Sequence, residues 1–400
     1  VKLRKFYVVT EEEIKEGKVT DVYFTRTVKI LKSKGLDRVN VSMEISAHSI
    51  PRGWNWGVLV GVEELANLLE GIDVDCYCME EGEIFTPEIP VALIKGEYGK
   101  FAIYETSILG LLSQPSGVAT TAAHVKLAAQ GKPVVNFGIR RMHPGISLSI
   151  ERASIIGGCD GSSGILLEEL GLKPVGTMPH ALILIFENQA EAWKAFDEVL
   201  PKDIPRVALV DTYWDEKAEA ILAAETLGEK LYAVRLDTPR SRRGKMVDIV
   251  REVRWELDSR GFKNVKIFVS GGLDDKKVKE LSEAGADAFG VGTFITNAET
   301  VDFGMDIVAV EGEPRSKRGK LSGEKQVYRC PKCFGTVVTR WGDRNIVCKQ
   351  CEVEMEALLK PLVIRGKIVR DKSDITEVRS RVLEKIEMIK DREIKVLYEV

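Results

Sequence analysis

Three rhythms of apolar and polar positions succeed one another along the chain. In residues 1–113 they are mixed. Thr20-Asp21 forms a cap for a helix running through Tyr23, Arg26 and Val28 to Leu31, which Gly35 ends. Val39 to Ile45 alternates apolar and polar residues, the mark of a half-buried strand. A helix is expected from Gly57 to Leu69, stopped by Gly71, and strands near Val74–Cys78, Val91–Ile94 and Phe101–Tyr104 complete a small α/β sandwich.

From 114 to 300 the pattern becomes strand-then-helix. Short apolar runs at 133–137, 174–178, 206–210, 231–236, 265–269 and 287–292 each stop at a polar or glycine residue. Helical patterns fall around them at Ser147–Ile156, Asn188–Leu200, Asp215–Leu227, Gly244–Ser259 and Asp275–Ala284. This alternation predicts a parallel sheet, and so many repeats favour a closed or nearly closed α/β barrel over a doubly wound sheet. Residues 301–400 form a third region. A polar linker runs from Glu311 to Gly323, a cysteine-bearing module occupies 326–356, and the strand-like Leu362–Val369 precedes a helix from Asp374 to Ile389 with Ser373 as its cap.

Composition narrows the class. The 400 residues carry a formal net charge of −3, which does not suit a protein that coats polyanions. No apolar run reaches the ~20 residues of a membrane span, and the N-terminal stretch lacks a signal-peptide pattern, so a soluble, cytoplasmic protein is expected. Of seven cysteines, four make two C-x-x-C pairs, Cys330/Cys333 and Cys348/Cys351. This spacing suits a four-thiolate structural zinc site, and also a rubredoxin-like iron site.

The candidate chemistry lies at the strand ends. In order these supply Arg140 and Arg141, Asp160 and Ser163, His180, Asp211 and Thr212, Arg235 and Asp237, Ser270-Gly271-Gly272, and Gly290-Val291-Gly292-Thr293. The last two are glycine-rich exits of the kind that bind phosphate through bare backbone N–H groups. Asp211, Asp237 and Asp274 are hard oxygen donors suited to Mg²⁺ beside phosphate. His180 is placed for acid/base work or phosphoryl transfer.

Several of these stretches are also familiar. Asp21-Val-Tyr23-Phe, Glu105-Thr106, Ser116-Gly-Val-Ala-Thr120, Phe137-Gly-Ile-Arg140-Arg141, Gly158-Cys-Asp160-Gly-Ser-Ser163, Gly176-Thr-Met-Pro-His180, Asp211-Thr-Tyr213 and Val234-Arg235-Leu-Asp237 resemble, in order, nicotinate phosphoribosyltransferase. The cysteine tail is similar to that of archaeal members. The resemblance implies an irregular α/β barrel beside an N-terminal sandwich, in a homodimer or higher oligomer with shared active sites and no nucleic-acid partner. It implies transfer from 5-phosphoribosyl 1-pyrophosphate to nicotinate, with ATP as co-substrate and Mg²⁺ and Zn²⁺ as metals. Phe137 would stack on the pyridine ring, and Arg140, Arg141 and Arg235 would face carboxylate or pyrophosphate. Ser270, Gly271, Gly272, Gly290, Gly292 and Thr293 would hold the 5′-phosphate, while Asp211 and Asp237 would position ribose and Mg²⁺. Tyr23 and Arg26 would reach a neighbouring subunit's site, and ATP would phosphorylate His180. Ser163, where the nicotinamide-using branch has Asp, points to an acid substrate. Quinolinate phosphoribosyltransferase is the nearest rival; Gly176–His180 and the cysteine tail argue against it. A zinc-ribbon barrel enzyme acting on RNA, with the basic linker Arg315–Lys320, is a further alternative.

Overall fold

Apolar runs too short for helices become strands in two main sheets of the computed structural model, which describes residues 4–242 and 244–399. Contacts divide the chain into two units, Val1–Thr120 with Ala298–Val400 and Thr121–Asn297.

The first unit holds a seven-stranded antiparallel sheet in the order Glu313–Pro314, Asp302–Val310, Asn40–Ser49, Pro90–Glu97, Val74–Cys78, Lys360–Ile364, Lys367–Ile368. Register pairs Met43 with Ile94, and Ile45 with both Ala92 and Met305, so the apolar positions of three strands stack. The Asn40–Ser49 strand is more than half-buried, because its polar positions are covered too. Glu44 accepts from the Lys325 backbone at 2.9 Å and from its ammonium at 3.0 Å. The lysine's remaining N–H groups go to the carbonyls of Leu321 and Gly323. A buried charge of each sign is tolerated here because pairing is complete.

Three expectations in this unit are corrected. Phe101–Tyr104 is helical, entering a helix at Glu105–Ala128 that the apolar pattern did not reveal. Its apolar residues lie all round and Pro115 sits inside it, so no stripe marks it. Two of its hydroxyls serve a neighbour, since Ser116 and Thr120 accept from the backbone of Val60 and Val58, both at 2.9 Å. The expected Gly57–Leu69 helix begins only at Val62, after a short strand at Gly57–Val58. The last helix is capped by Asp374, not Ser373, through bonds from Thr376 and Glu377.

The cysteine module sits on a four-stranded sheet ordered Glu356–Ala357, Lys325–Arg329, Thr336–Arg340, Val396–Glu399. The thiol sulfurs of Cys330, Cys333, Cys348 and Cys351 lie within 4.8 Å of one another, with Cys333 and Cys348 at 3.7 Å. A tetrahedron with metal–sulfur bonds of ~2.3 Å has edges of about 3.8 Å, so the four thiolates form a metal-binding cluster of zinc-like dimensions. Arg329, next to Cys330, lies over the Phe334 ring at 4.4 Å and pairs with Glu83 at 2.8 Å. Both charges are 4% exposed, and Lys385 also reaches Glu83. The metal cluster is thus fastened to the buried segment around Glu83 and Ile84, where Arg329 also donates to the Ile84 carbonyl at 2.6 Å.

The second unit is an α/β barrel left open. Its six parallel strands run Gly161–Ser162, Val134–Asn136, Ala288–Val291, Lys266–Ser270, Leu231–Leu236, Arg206–Leu209. Gly161–Ser162 is the sixth strand in place of 174–178, which stays irregular and makes one backbone bond, Val175 to Ser162, at 2.8 Å. Val135, Val207, Ala233 and Phe268 form one inner cluster.

Because the thiolates close the metal cluster, Cys348→Ser should lose the metal and about 3 kcal/mol of stability, or roughly 10 °C of Tm. Calorimetry with metal analysis checks this; a normal Tm with abolished turnover would contradict a structural role.

Candidate active site

Parallel strands leave their last residues on one edge, and here those residues surround a cavity of about 500 Å³. Asn136 shapes its first wall. Wholly buried, Asn136 donates to Ser154 at 3.1 Å and accepts from the Gly138 backbone at 2.9 Å, turning the chain after the strand. Phe137 then packs 5.6 Å from Phe268. Gly290 lies against the same ring: a Cβ there would stand 2.4 Å from Phe137. Gly271 and Gly272 adopt φ of +94° and +67°, which leaves bare backbone at the exit of the adjacent strand.

Charged groups lie close beside these residues. Arg235, 9% exposed, has its guanidinium 6.0 Å from the Phe137 ring and donates to the Met178 carbonyl at 3.2 Å. Its Nε is buried without a partner among the described residues. Burial lowers the Arg235 pKa, and Asp237 and Asp211 oppose that shift. Asp237 lies 3.6 Å from this guanidinium and accepts from Ser270 at 2.9 Å.

His180 opens a helix, His180–Phe186, and its Nε2 stands 2.9 Å from the Asp211 carboxylate, whose side chain is 1% exposed. The other Asp211 oxygen accepts from the Asp237 backbone at 2.8 Å and from Thr238 at 3.0 Å. The bond to Asp211 raises the His180 pKa, against a smaller opposing effect of burial. The imidazolium therefore persists to higher pH than for a free histidine.

Of the candidates from Phe137 through Thr293, Asp160, Asp211, Thr212, Asp274 and Val291 are not among the lining residues and the others are; Asp211 acts from behind His180 and Asp237. Tyr23 and Arg26 lie in the Val22–Lys34 helix of the other unit, exposed, and are not among its lining residues. Asp160 is not at this edge, because it accepts from Val134, the first residue of its strand, at 2.8 Å. Asp274 caps the Asp275–Ala284 helix.

Two carboxylates that sequence reasoning passed over hold the walls. Glu219, wholly buried, accepts from the backbone of Thr212, Tyr213 and Trp214 at 3.1, 2.7 and 2.8 Å, and so fixes the loop that carries Asp211. Its signal was a glutamate among Ala220, Ala223, Ala224 and Leu227 on one buried helix face. Glu151, 1% exposed, accepts from the Ser162 hydroxyl and the Gly164 backbone, both at 2.7 Å, and brackets Ser163.

The expectation that Asp211 and Asp237 hold Mg²⁺ is corrected. Both Asp211 oxygens are engaged, by His180, Thr238 and the Asp237 backbone. One Asp237 oxygen accepts from Ser270 and the other lies 3.6 Å from Arg235, and the one cluster of three or more metal-ligating side chains among the described residues is the cysteine set.

Comparison with known proteins bears on the remaining expectations. Family models described as quinolinate phosphoribosyl transferase, C-terminal and N-terminal domains, match residues 118–306 and 21–116. A structure described as nicotinate-nucleotide pyrophosphorylase from Pyrococcus furiosus is 54% identical, covers 98% of this chain and 100% of that one, and superposes with a TM-score of 0.95. Nicotinate phosphoribosyltransferase pncB2 of Mycobacterium tuberculosis is 33% identical over 270 residues, 64% of this chain and 57% of that protein. Human nicotinic acid phosphoribosyltransferase shares the fold, with a TM-score of 0.78 at 19% identity over 95% of this chain and 98% of that one.

These matches overturn the assignment to nicotinate phosphoribosyltransferase and, with it, nicotinate as substrate, ATP as co-substrate and a ligase-type cycle through phosphorylated His180. The family models together span residues 21–116 and 118–306, and the near full-length match agrees with them. The chain belongs to the quinolinate phosphoribosyl transferase family.

Proposed function

We propose that the chain transfers the phosphoribosyl group of 5-phosphoribosyl 1-pyrophosphate to quinolinate without ATP, releasing pyrophosphate and carbon dioxide and leaving nicotinate mononucleotide. Quinolinate carries carboxylates at ring positions 2 and 3, and a nicotinate nucleotide keeps only the second. Carbon dioxide must therefore leave. The bond from C1 of the ribose to pyrophosphate breaks with its electron pair on the departing oxygen, and the ring nitrogen bonds to C1. The bond from ring C2 to its carboxylate then breaks, and the pair left at C2, beside a cationic nitrogen, takes a proton. Loss of carbon dioxide makes the sequence irreversible in practice, which is why no nucleotide hydrolysis has to drive it.

The observation that carries this reading is the charge of the cavity: three guanidiniums, Arg140, Arg141 and Arg235, line one space with the Phe137 ring. A planar dicarboxylate gives each side of such a site a partner. In this reading Phe137 and Phe268 offer ring surface, Arg235 takes a carboxylate through its unpaired Nε, and Ser163 donates to the same substrate. Gly271 and Gly272 receive the 5′-phosphate. The His180 imidazolium faces the charge that develops on departing pyrophosphate, and fixed charges of this kind lower barriers because they need not reorient. Asp237, held by Ser270, positions the ribose.

The direct test is turnover of quinolinate with 5-phosphoribosyl 1-pyrophosphate and MgCl₂, following mononucleotide and carbon dioxide. Equimolar products without ATP are expected; product from nicotinate alone, stimulated by ATP, would overturn the proposal. A second expectation concerns pH. With the His180 pKa raised by Asp211, kcat/KM for 5-phosphoribosyl 1-pyrophosphate should fall as pH rises past a point above the ordinary value of about 6.5. His180→Gln should lower the plateau and flatten that limb, so an unchanged limb in the variant would assign it to another group. Third, Glu219→Ala should cost about 3 kcal/mol of stability, because three backbone N–H groups lose their acceptor. It should also cut kcat ~100-fold by loosening Asp211. Denaturant melts and kinetics on the same sample check both, and wild-type kcat would show that the loop holds itself.

A further inference from the structure

A second cavity, about 900 Å³, lies behind the glycine exit in the same unit and shares Asp237, Gly271, Gly272 and Leu273 with the reaction cavity. It falls within the ~300–1,000 Å³ typical of small-molecule sites. The proposed reaction uses its shared residues Asp237, Gly271 and Gly272 and none of the others. Its walls are of two kinds. Pro239, Met246, Val247 and Leu281 give an apolar side, while Arg240, Lys245 and Lys277 give a basic one that outnumbers the two acidic lining residues, Asp237 and Glu280. Arg240 and Lys245 have no carboxylate partner among the described residues, whereas Lys277 bonds the Gly272 carbonyl at 2.7 Å and Asp274 at 3.0 Å. Bare pyrophosphate would satisfy the cations and leave the apolar wall facing water. A ligand with both an apolar ring and a phosphate satisfies both walls.

We infer that this cavity is a regulatory site for a nucleoside monophosphate, with the phosphate on Arg240 and Lys245 and the base on the Met246–Leu281 side. The route to the reaction is short. Lys277 steadies Gly272, and a phosphate that draws Lys277 away releases the glycine exit that the proposed reaction needs for its 5′-phosphate. Occupancy therefore weakens 5-phosphoribosyl 1-pyrophosphate. The binding half of the inference stands without the proposed reaction; the inhibitory half rests on it.

The shared chemistry has two sources, the pyridine mononucleotide that the proposed reaction makes and a purine mononucleotide. Calorimetry with adenosine 5′-monophosphate and with nicotinate mononucleotide separates them. For the wild type, one equivalent of the purine nucleotide is expected if purines enter, and two of the pyridine nucleotide if product enters both cavities. Arg240→Ala with Lys245→Ala should weaken the second-cavity event ~10-fold or more, while KM for both substrates stays within about twofold and Tm is unchanged. Absence of any second-cavity binding at millimolar nucleotide overturns the inference, as does binding that the double variant leaves intact. A raised KM for 5-phosphoribosyl 1-pyrophosphate in the variant without nucleotide overturns it too, because the cavity would then belong to the substrate. If calorimetry succeeds and quinolinate is not turned over, the proposed function fails and the site stands.

Discussion

One buried carboxylate ties the exits of the barrel strands together. Asp211 follows the strand Arg206–Leu209 and is bonded by His180 from the head of one helix and by Asp237 and Thr238 from the end of the next strand. Asp237 is in turn held by Ser270, one strand further on. A parallel sheet brings such ends within reach but does not fix them, because each exit is a loop. The chain of hydrogen bonds fixes them, and Glu219 anchors it by gathering three backbone N–H groups around one buried carboxylate. Removing such a group leaves buried donors unpaired, so positioning and stability are one requirement here.

Much of this was legible in the residues. Five of the six barrel strands, the five barrel helices expected among them and most of the lining of the cavity followed from apolar period and from the polar residue that ends each run. What escaped has physical causes. The helix Glu105–Ala128 is apolar all round and so shows no amphipathic stripe. The run 174–178 has strand-like composition but only one backbone partner, and composition does not report partners. Asp160 was adjacent in sequence to cavity residues yet bonds the start of a strand. Glu219 and Glu151 were passed over as site residues because neither lines the cavity: each acts by holding the loop that carries a lining or supporting residue.

The identity of the substrate was the larger correction, and its cause is instructive. Arg140, Arg141 and Arg235 were read as partners of either the ring carboxylate or the pyrophosphate, an assignment the residues left open, so they were not weighed as partners of a second carboxylate. The histidine was read as a phosphoryl acceptor because Gly176-Thr-Met-Pro-His180 matched the motif of the resembled family. The cysteine tail was read as a mark against quinolinate, yet it performs a structural task through Arg329 and Glu83 that is indifferent to substrate.

The central claim is that three guanidiniums around one aromatic ring recognise a dicarboxylate. Calorimetric titration of the protein with quinolinate and with nicotinate, each alone in low-salt buffer and again at 0.5 M NaCl, tests it most directly. The account predicts that quinolinate binds at least ~10-fold tighter and that salt narrows the gap, as paired charges require. Equal or tighter binding of nicotinate, with no dependence of the ratio on salt, would contradict it.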